Sequence, residues 1–562
     1  MNGVTLMAIA IIVLGGAYLT YGRWLEKTWH INKERKTPAY ELEDGVDYVP
    51  ADSNIVFGHQ FASIAGAGPI NGPIQAAMFG WFPVLLWILV GGIFFGAVQD
   101  YVSMYASVRN KGKTIGYIIE KYIGKLGKKL FLVFCWLFCI LVIAAFADIV
   151  AATFDGLTDA GENIVANGSV ATTSLIFIIE AIVLGFVLKN LKLNKWANTA
   201  IALVLLVAGI YIGLLNPIFI DGSSWHLFVF IYIGIATIVP VWVLLQPRDY
   251  LNSYLLVAMI LAAVVGVFVA NPTINLESFT AFNVNGLNMF PFLFVTIACG
   301  AISGFHSLVS SGTSSKQIKN EKHMLPVSYG SMLLECLLAV IALIAVASFA
   351  SGEAATSGLV TPSQIFAGAV ANFLSSIGLP YAIIFTLINL AVSAFALTSL
   401  DSVARVARLS FQEFFATEEE EKSAVANICT NKYVATIATL GLAYLLAKVG
   451  YAAIWPLFGA SNQLLAVIAL LACAVYLKNA RKKTFMLVIP IFSMILITFS
   501  ALLQTIFNLG VSFMAGEATV GTILQFVFGI LIFGLGVCVT FEGLKKYYAK
   551  NQDDEPITTE AF

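Results

Sequence analysis

The sequence predicts an all-α polytopic membrane protein with about 15 transmembrane helices, an inverted five-plus-five helix core and peripheral helices around it. Three observations predict this: an apolar composition, the length and number of the apolar runs, and the alternation of basic residues between them. The chain is 59% hydrophobic and 11% charged, with a mean hydropathy of +0.88. Soluble domains carry about 45–50% apolar and about 25% charged residues. A net charge of -1 excludes a large nucleic-acid footprint, which needs a clustered basic surface. The seven cysteines and five histidines are scattered without metal-ligand spacing, so no cofactor is expected.

Fifteen runs approach the roughly 20 apolar residues needed to cross about 30 Å of hydrocarbon. They are 4–22, 57–80, 83–108, 130–154, 171–189, 196–216, 226–245, 250–270, 290–312, 327–350, 380–400, 433–447, 454–477, 485–506 and 521–542. The first has no basic segment before it and no small-residue cleavage pattern after it, so it is expected to be a retained helix. Residues 1–56 then form a peripheral helix and connector, 57–216 and 226–400 two five-helix repeats, 401–432 a cytoplasmic loop, and 433–562 peripheral helices. The acidic run Glu418–Glu421 in that loop reads as a solvated face.

Basic residues near helix ends collect on the cytoplasmic side. With the N-terminus outside and the C-terminus cytoplasmic, 30 of the 31 Lys and Arg fall inside, and Lys448 alone falls outside. One miscounted span would destroy that alternation.

The stretch SIAGAGPINGPIQ, residues 63–75, places three glycines, two prolines and an asparagine between Gly66 and Pro73. Irregular backbone at membrane depth survives only where it is buried in protein or lines a watery cavity. The expectation is a broken helix whose freed carbonyls hold a cation and whose new half-helix N-terminus holds a carboxylate. Gly66, Ala67, Gly68, Asn71 and Gly72 are the candidate substrate contacts. A kink packed by small residues is the plainer reading. Five spans later, Gly234 and Pro240 interrupt 226–245, and Trp242 beside them is placed to wall the pocket or to anchor at the interface. An offset of five, an odd number, implies repeats inverted in the membrane.

A third irregular run, 290–312, carries Ser303, Ser307 and Ser311 on one helical face, with Ser310 and Thr313 alongside. Hydroxyls are hard ligands for a hard cation, and they also bond to their own helix backbone. Asp100, Asp148, Glu180 and Glu335 lie well inside apolar runs, where a charge is costly and marks a functional candidate. Asp249 beside Arg248, and Asp401 four residues before Arg405, read as structural interface pairs. His59 enters the first broken helix and His306 sits between Phe305 and Ser307. Histidine titrates in the range a proton-coupled step requires. His59, Asp100, Glu180, His306 and Glu335 are therefore the candidate proton carriers, and His306 also a candidate substrate contact.

The strings FGHQFASIAGAGPINGPIQAAMFGWFPVLLWILVGGIFFGAVQDYVSMYASVRNKGKTIG, VPVWVLLQPRDYLNSY and TIACGAISGFHSLVSSGT closely resemble the carbon-starvation (CstA) family of bacterial inner-membrane transporters. The resemblance runs from about Phe57 over most of the chain. It implies membership of the amino acid–polyamine–organocation superfamily and a LeuT-like fold. Helix 57–80 would be its first core helix, 226–245 its broken sixth and 290–312 its eighth. In sodium-coupled members the eighth supplies hydroxyl ligands, which would fall on Ser310 and Ser311. The resemblance also implies uptake of peptides or pyruvate, so the expected substrate is a small carboxylate carried by symport with H+ or Na+. The alternatives are a nutrient sensor of the same fold and an integral-membrane enzyme. The chain contains neither a GxxxxGK[ST] loop nor HExxH, so nucleotide drive and zinc hydrolysis lack a motif.

Overall fold

The computed structural model describes residues 1–45, 47–158, 160–190, 195–240, 243–349, 359, 361–416, 424–516 and 519–549. Trp242 and the run Glu418–Glu421 lie outside the described residues. Among those residues eleven helices are long and apolar enough to cross a bilayer, which makes this a multi-pass membrane protein. The other four predicted spans fall on two shorter apolar helices, Gly222–Ile238 and Lys432–Ala447, and on two helices that stop and restart, within 53–79 and 289–312.

A helix apolar on every side must meet either lipid or other helices all round, and burial separates the two cases. The apolar window of Tyr451–Asn479 is 100% buried and that of Lys125–Phe154 is 83% buried, whereas that of Trp196–Leu215 is 22% buried. The first two form the centre and the third lies at the periphery. Phe146 of Lys125–Phe154 meets Trp455 and Phe458 of Tyr451–Asn479 at ring-centroid distances of 6.4 and 5.8 Å. Asp148 ties this centre together at one end. Its Oδ2 accepts the Tyr451 N–H at 2.5 Å, and its Oδ1 lies 2.6 Å from Nε2 of His226.

Segment 226–245 departs from expectation. Gly222–Ile238 runs uninterrupted through Gly234, stops at Val239 and Pro240, and a new helix runs from Leu245 to Ala270. Arg405 Nη2 donates to the carbonyls of Ala236 and Val239, and Arg408 Nη1 to that of Thr237, each at 2.9 Å. Guanidinium groups thus cap the last carbonyls, so Pro240 marks a capped helix end rather than a mid-helix break. Arg248 lies 3.6 Å from Asp249 and pairs with Asp401 and the Tyr232 hydroxyl, so Asp401 takes Arg248 as its partner in place of the Arg405 expected from the sequence.

The run 290–312, read from the sequence as a third irregular one, is interrupted. Met289–Thr296 and Gly304–Gly312 are separated by seven residues, 297–303. Each interrupted helix is followed by a long one containing a π-helical turn, Gly92–Gly96 in Trp81–Arg109 and Leu325–Gly330 in Glu321–Ala347. Such turns re-aim the side chains beyond them. The next acidic residues are Asp100 and Glu335.

Candidate functional site

The first interruption is shorter and earlier than the glycine and proline pattern predicts. Ser53–Ile64 ends, Ala65–Ala67 turn, and a second half-helix spans Gly68–Ala76. Gly66 N–H bonds back to Ile64 O at 2.8 Å, and Ala67 O accepts from Asn71 N–H at 2.9 Å. Pro69 lies in the first turn of the restarted helix, where its missing N–H costs nothing and its fixed φ favours the helix. Asn71, Gly72 and Pro73 therefore belong to the half-helix and not to the break.

The two interruptions cross at close range because glycine allows it. A Cβ on Gly68 would lie 2.5 Å from Cys299 Sγ, and one on Gly72 would lie 2.7 Å from Thr296 O. Carbonyls near the second break are claimed by neighbouring side chains. Phe294 O accepts from Trp87 Nε1 at 3.2 Å and Gln463 Nε2 at 2.7 Å, and Thr296 O from Trp455 Nε1 at 3.1 Å. Unpaired backbone at this depth costs several kcal/mol per group, and these three side chains satisfy the last carbonyls of Met289–Thr296 where that helix stops.

Between the breaks lies a small cavity lined by Gly66, Gly68, Cys299, Phe305, Ser399 and Asn462, with Phe138, Phe146 and Phe458 as aromatic walls. Apolar walls with a few convergent polar groups are the usual make-up of a small-molecule site, and at about 20 Å³ this cavity has to widen to admit one. Of the predicted substrate contacts, Gly66 and Gly68 line it and Ala67 is buried between them. Gly72 faces the Thr296 carbonyl, and Asn71 faces Ser363 Oγ at 3.4 Å with its own Nδ2 unpartnered. Gly234 lines a different, lateral groove with Leu440 and Gly441. Trp242 lies outside the described residues.

His306 turns away from the cavity. Its Nδ1 lies 3.0 Å from Asp100 Oδ2 and its Nε2 lies 3.3 Å from Glu335 Oε2, and all three side chains are 0% exposed. Three of the five predicted proton carriers, from three helices, thus form one cluster. The number of protons they share sets the charge buried there, so the three titrate as a unit. Asp100 Oδ1 and Glu335 Oε1 have no hydrogen-bond partner among the described residues. His59 and Glu180 stand apart from this cluster. His59 is half-buried on Ser53–Ile64 with its Nε2 unpartnered, and Glu180 packs beside Gly209 of Lys195–Leu215.

The hydroxyls of Gly304–Gly312 serve different neighbours. Gln60 Nε2 donates to Ser310 Oγ at 2.9 Å, and Gln60 Oε1 accepts from Ser314 Oγ at 2.6 Å. Ser307 Oγ accepts from Gln99 and lies 3.2 Å from Ser103 Oγ. Ser311 Oγ donates to Ser307 O at 2.6 Å and accepts the Ile115 N–H at 3.0 Å, while the Thr313 hydroxyl donates to Val309 O at 3.0 Å. Ser310, Ser311 and Thr313 do not converge on one point.

Gln60, Cys299, Ser399, Trp455, Asn462 and Gln463 escaped the sequence reading. The adjacent amides in WPLFGASNQLLAVIALL carried a usable signal, since two such groups in an apolar run must find buried partners.

A family model described as "Carbon starvation protein CstA" matches residues 2–357 and 348–501. A peptide transporter, CstA, of Bacillus subtilis (strain 168) is 33% identical over 602 residues, covering 97% of each chain. The pyruvate/proton symporter BtsT of Escherichia coli (strain K12) is 35% identical over 344 residues, 58% of this chain and 47% of that protein. Among solved structures, a manganese transporter of Eremococcus coleocola aligns over 90% of this chain and 99% of its own, at 12% identity and a TM-score of 0.47.

Proposed function

Because this chain belongs to the carbon starvation protein CstA family, we propose that it is a proton-coupled symporter importing a small carboxylate, pyruvate or a short peptide. It is a secondary transporter rather than an enzyme. The observation that carries the proposal is His306 clamped between Asp100 and Glu335 on the half-helix whose first turn, at Phe305, lines the cavity. Coupling needs a titrating group mechanically joined to a substrate site, and here one short helix bears both. A proton rather than Na+ fits because Ser310, Ser311 and Thr313 are bonded to separate partners. The relative named as a proton symporter supports the same choice.

Counting the short and interrupted helices as crossings gives about fifteen spans, with the N-terminus outside and the C-terminus in the cytoplasm of a bacterial inner membrane. The core repeats would begin at Ser53 and Met289, in place of the 57–216 and 226–400 halves. Each repeat would run broken helix, π-turn helix, long buried helix, short helix, long helix. The short members are Gly222–Ile238 and Lys432–Ala447, and the final members are Leu245–Ala270 and Tyr451–Asn479. Val165–Asn190, Lys195–Leu215 and Pro362–Ser375 would be insertions. Asp100 and Glu335 then occupy corresponding helices of the two halves. Their approach to one histidine is a product of the inverted symmetry.

In this scheme the substrate carboxylate lies between the starts of Gly68–Ala76 and Gly304–Gly312, two helix dipole ends that favour negative charge and line one cavity. The Asp100–His306–Glu335 cluster takes a proton from outside and releases it inside as the two repeats rock. Reconstituted uptake of labelled pyruvate and dipeptides, under separately imposed pH and sodium gradients, tests it. Accumulation driven by the pH gradient alone is expected. Accumulation that follows sodium and ignores pH would rule out the proton assignment.

A further inference from the structure

Asn462 sits on Tyr451–Asn479, outside both broken helices, and is 1% exposed. Its Oδ1 accepts the Phe305 N–H at 3.1 Å and lies 3.3 Å from Ser303 Oγ. Its Nδ2 lies 3.0 Å from Ser303 Oγ and 3.6 Å from Cys299 Sγ. Phe305 is the second residue of Gly304–Gly312, and that helix begins after Ser303, whose own side chain caps nothing. The orphan N–H groups of a first helical turn need an acceptor. Here it is supplied from another helix, by a residue that also lines the cavity.

We infer that Asn462 is a displaceable cap and a substrate ligand: an incoming carboxylate takes its place on the Phe305 N–H and accepts a hydrogen bond from its Nδ2. This rests on the transporter reading above and adds to it the residue through which the cavity senses cargo. Among the described residues that line the cavity none is Lys or Arg. Amide and backbone N–H donors are what it offers a carboxylate. Both are engaged, the Phe305 N–H by Asn462 Oδ1 and Asn462 Nδ2 by Ser303 Oγ, so an anion competes for them directly. The consequence reaches the proton site through one peptide bond, since His306 follows Phe305 and its N–H lies 3.3 Å from Ser303 O. A carboxylate exchanging for the Asn462 oxygen shifts the first turn, and with it the imidazole held between Asp100 and Glu335. Asn462 thus acts on the cavity as a ligand and on His306 as a positioning residue.

Two substitutions separate this from a purely structural cap. Asn462→Asp keeps an oxygen for Phe305 N–H but removes the donor and faces the substrate with a like charge. Asn462→Ala removes cap and donor together. Uptake of labelled pyruvate into proteoliposomes, with melting followed in parallel, is expected to show KM raised at least about tenfold in both, since a hydrogen bond to a charged group is worth that much. Asn462→Asp is expected to melt below the parent, because its carboxylate is buried without a cationic partner, and its pH profile of uptake to move as His306 is repositioned. A wild-type KM and pH profile in Asn462→Asp, with Asn462→Ala alone impaired, would reduce Asn462 to a structural cap and overturn the inference. Where Asn462→Asp does not fold, Asn462→Ser retains an acceptor without the amide donor. The same rise in KM is expected there, and an unchanged KM overturns the inference equally. Absence of pyruvate and dipeptide uptake by the parent protein would overturn the transporter reading itself, and this inference with it.

Discussion

His306 and Asp100 meet at 3.0 Å across the seam between Gly304–Gly312 and Trp81–Arg109, and neither side chain reaches solvent. Glu335 closes the other side of the imidazole at 3.3 Å. Ionisable groups buried at this depth are costly, and such a cluster marks a functional site.

Neutral isosteres test that use. Asp100→Asn and Glu335→Gln each preserve shape and remove one titrating group. Each is expected to lower pH-driven accumulation at least about tenfold while leaving substrate exchange at equal pH close to the parent, because removing a specific proton site costs the coupled step. Comparing net uptake with counterflow in the same vesicles checks this.

His306→Ala should behave differently, since it strands two carboxylates without their partner. Breaking a buried charge pair costs about 3–5 kcal/mol. A marked fall in detergent melting temperature is expected, and a second substitution, Glu335→Gln, should restore part of it. Melting of the single and double variants settles the point.

Much of this was legible in the sequence. The apolar runs coincide with the helices, because lipid demands length and internal hydrogen bonding of every crossing segment. SIAGAGPINGPIQ correctly marked an interruption, and Asp100, His306 and Glu335 were each suspect as ionisable groups in apolar surroundings. Their meeting was not legible, because it joins three helices across more than 200 positions of sequence. The run 290–312 was also read as irregular and is interrupted, whereas Gly234 and Pro240 misled, because Pro240 looks like a breaker until Arg405 and Arg408, far along the chain, are seen capping the helix end before it. The interruption at ACGAISG holds no proline, and the last carbonyls of the helix before it are satisfied by Trp455 and Gln463, groups more than 150 positions further along the chain.

The glycine crossings give a test with a built-in control. Gly68→Ala places a methyl on the Cys299 side chain, whereas Gly72→Ala places one on the Thr296 carbonyl. Overpacking of this kind costs about 1–3 kcal/mol. Transport by Gly68→Ala should be impaired and substantially recovered by Cys299→Gly, while Gly72→Ala, opposed by backbone, should not be recovered by that change.

Trp455→Phe keeps the ring and removes the donor on Thr296 O. A buried carbonyl left unpaired costs about 1–3 kcal/mol. Gln463→Leu should cost less, because Trp87 still donates to Phe294 O. Thermal melting of the two variants should rank them in that order.

The most direct measurement follows protons rather than cargo. Pyruvate is added outside proteoliposomes that enclose a pH-sensitive dye, with no gradient imposed, and internal acidification is recorded. Acidification in the parent protein, lost in the Asp100→Asn, Glu335→Gln double variant that still exchanges labelled pyruvate, is the predicted result. Pyruvate entry with no change in internal pH, or acidification undiminished in the double variant, would contradict the account.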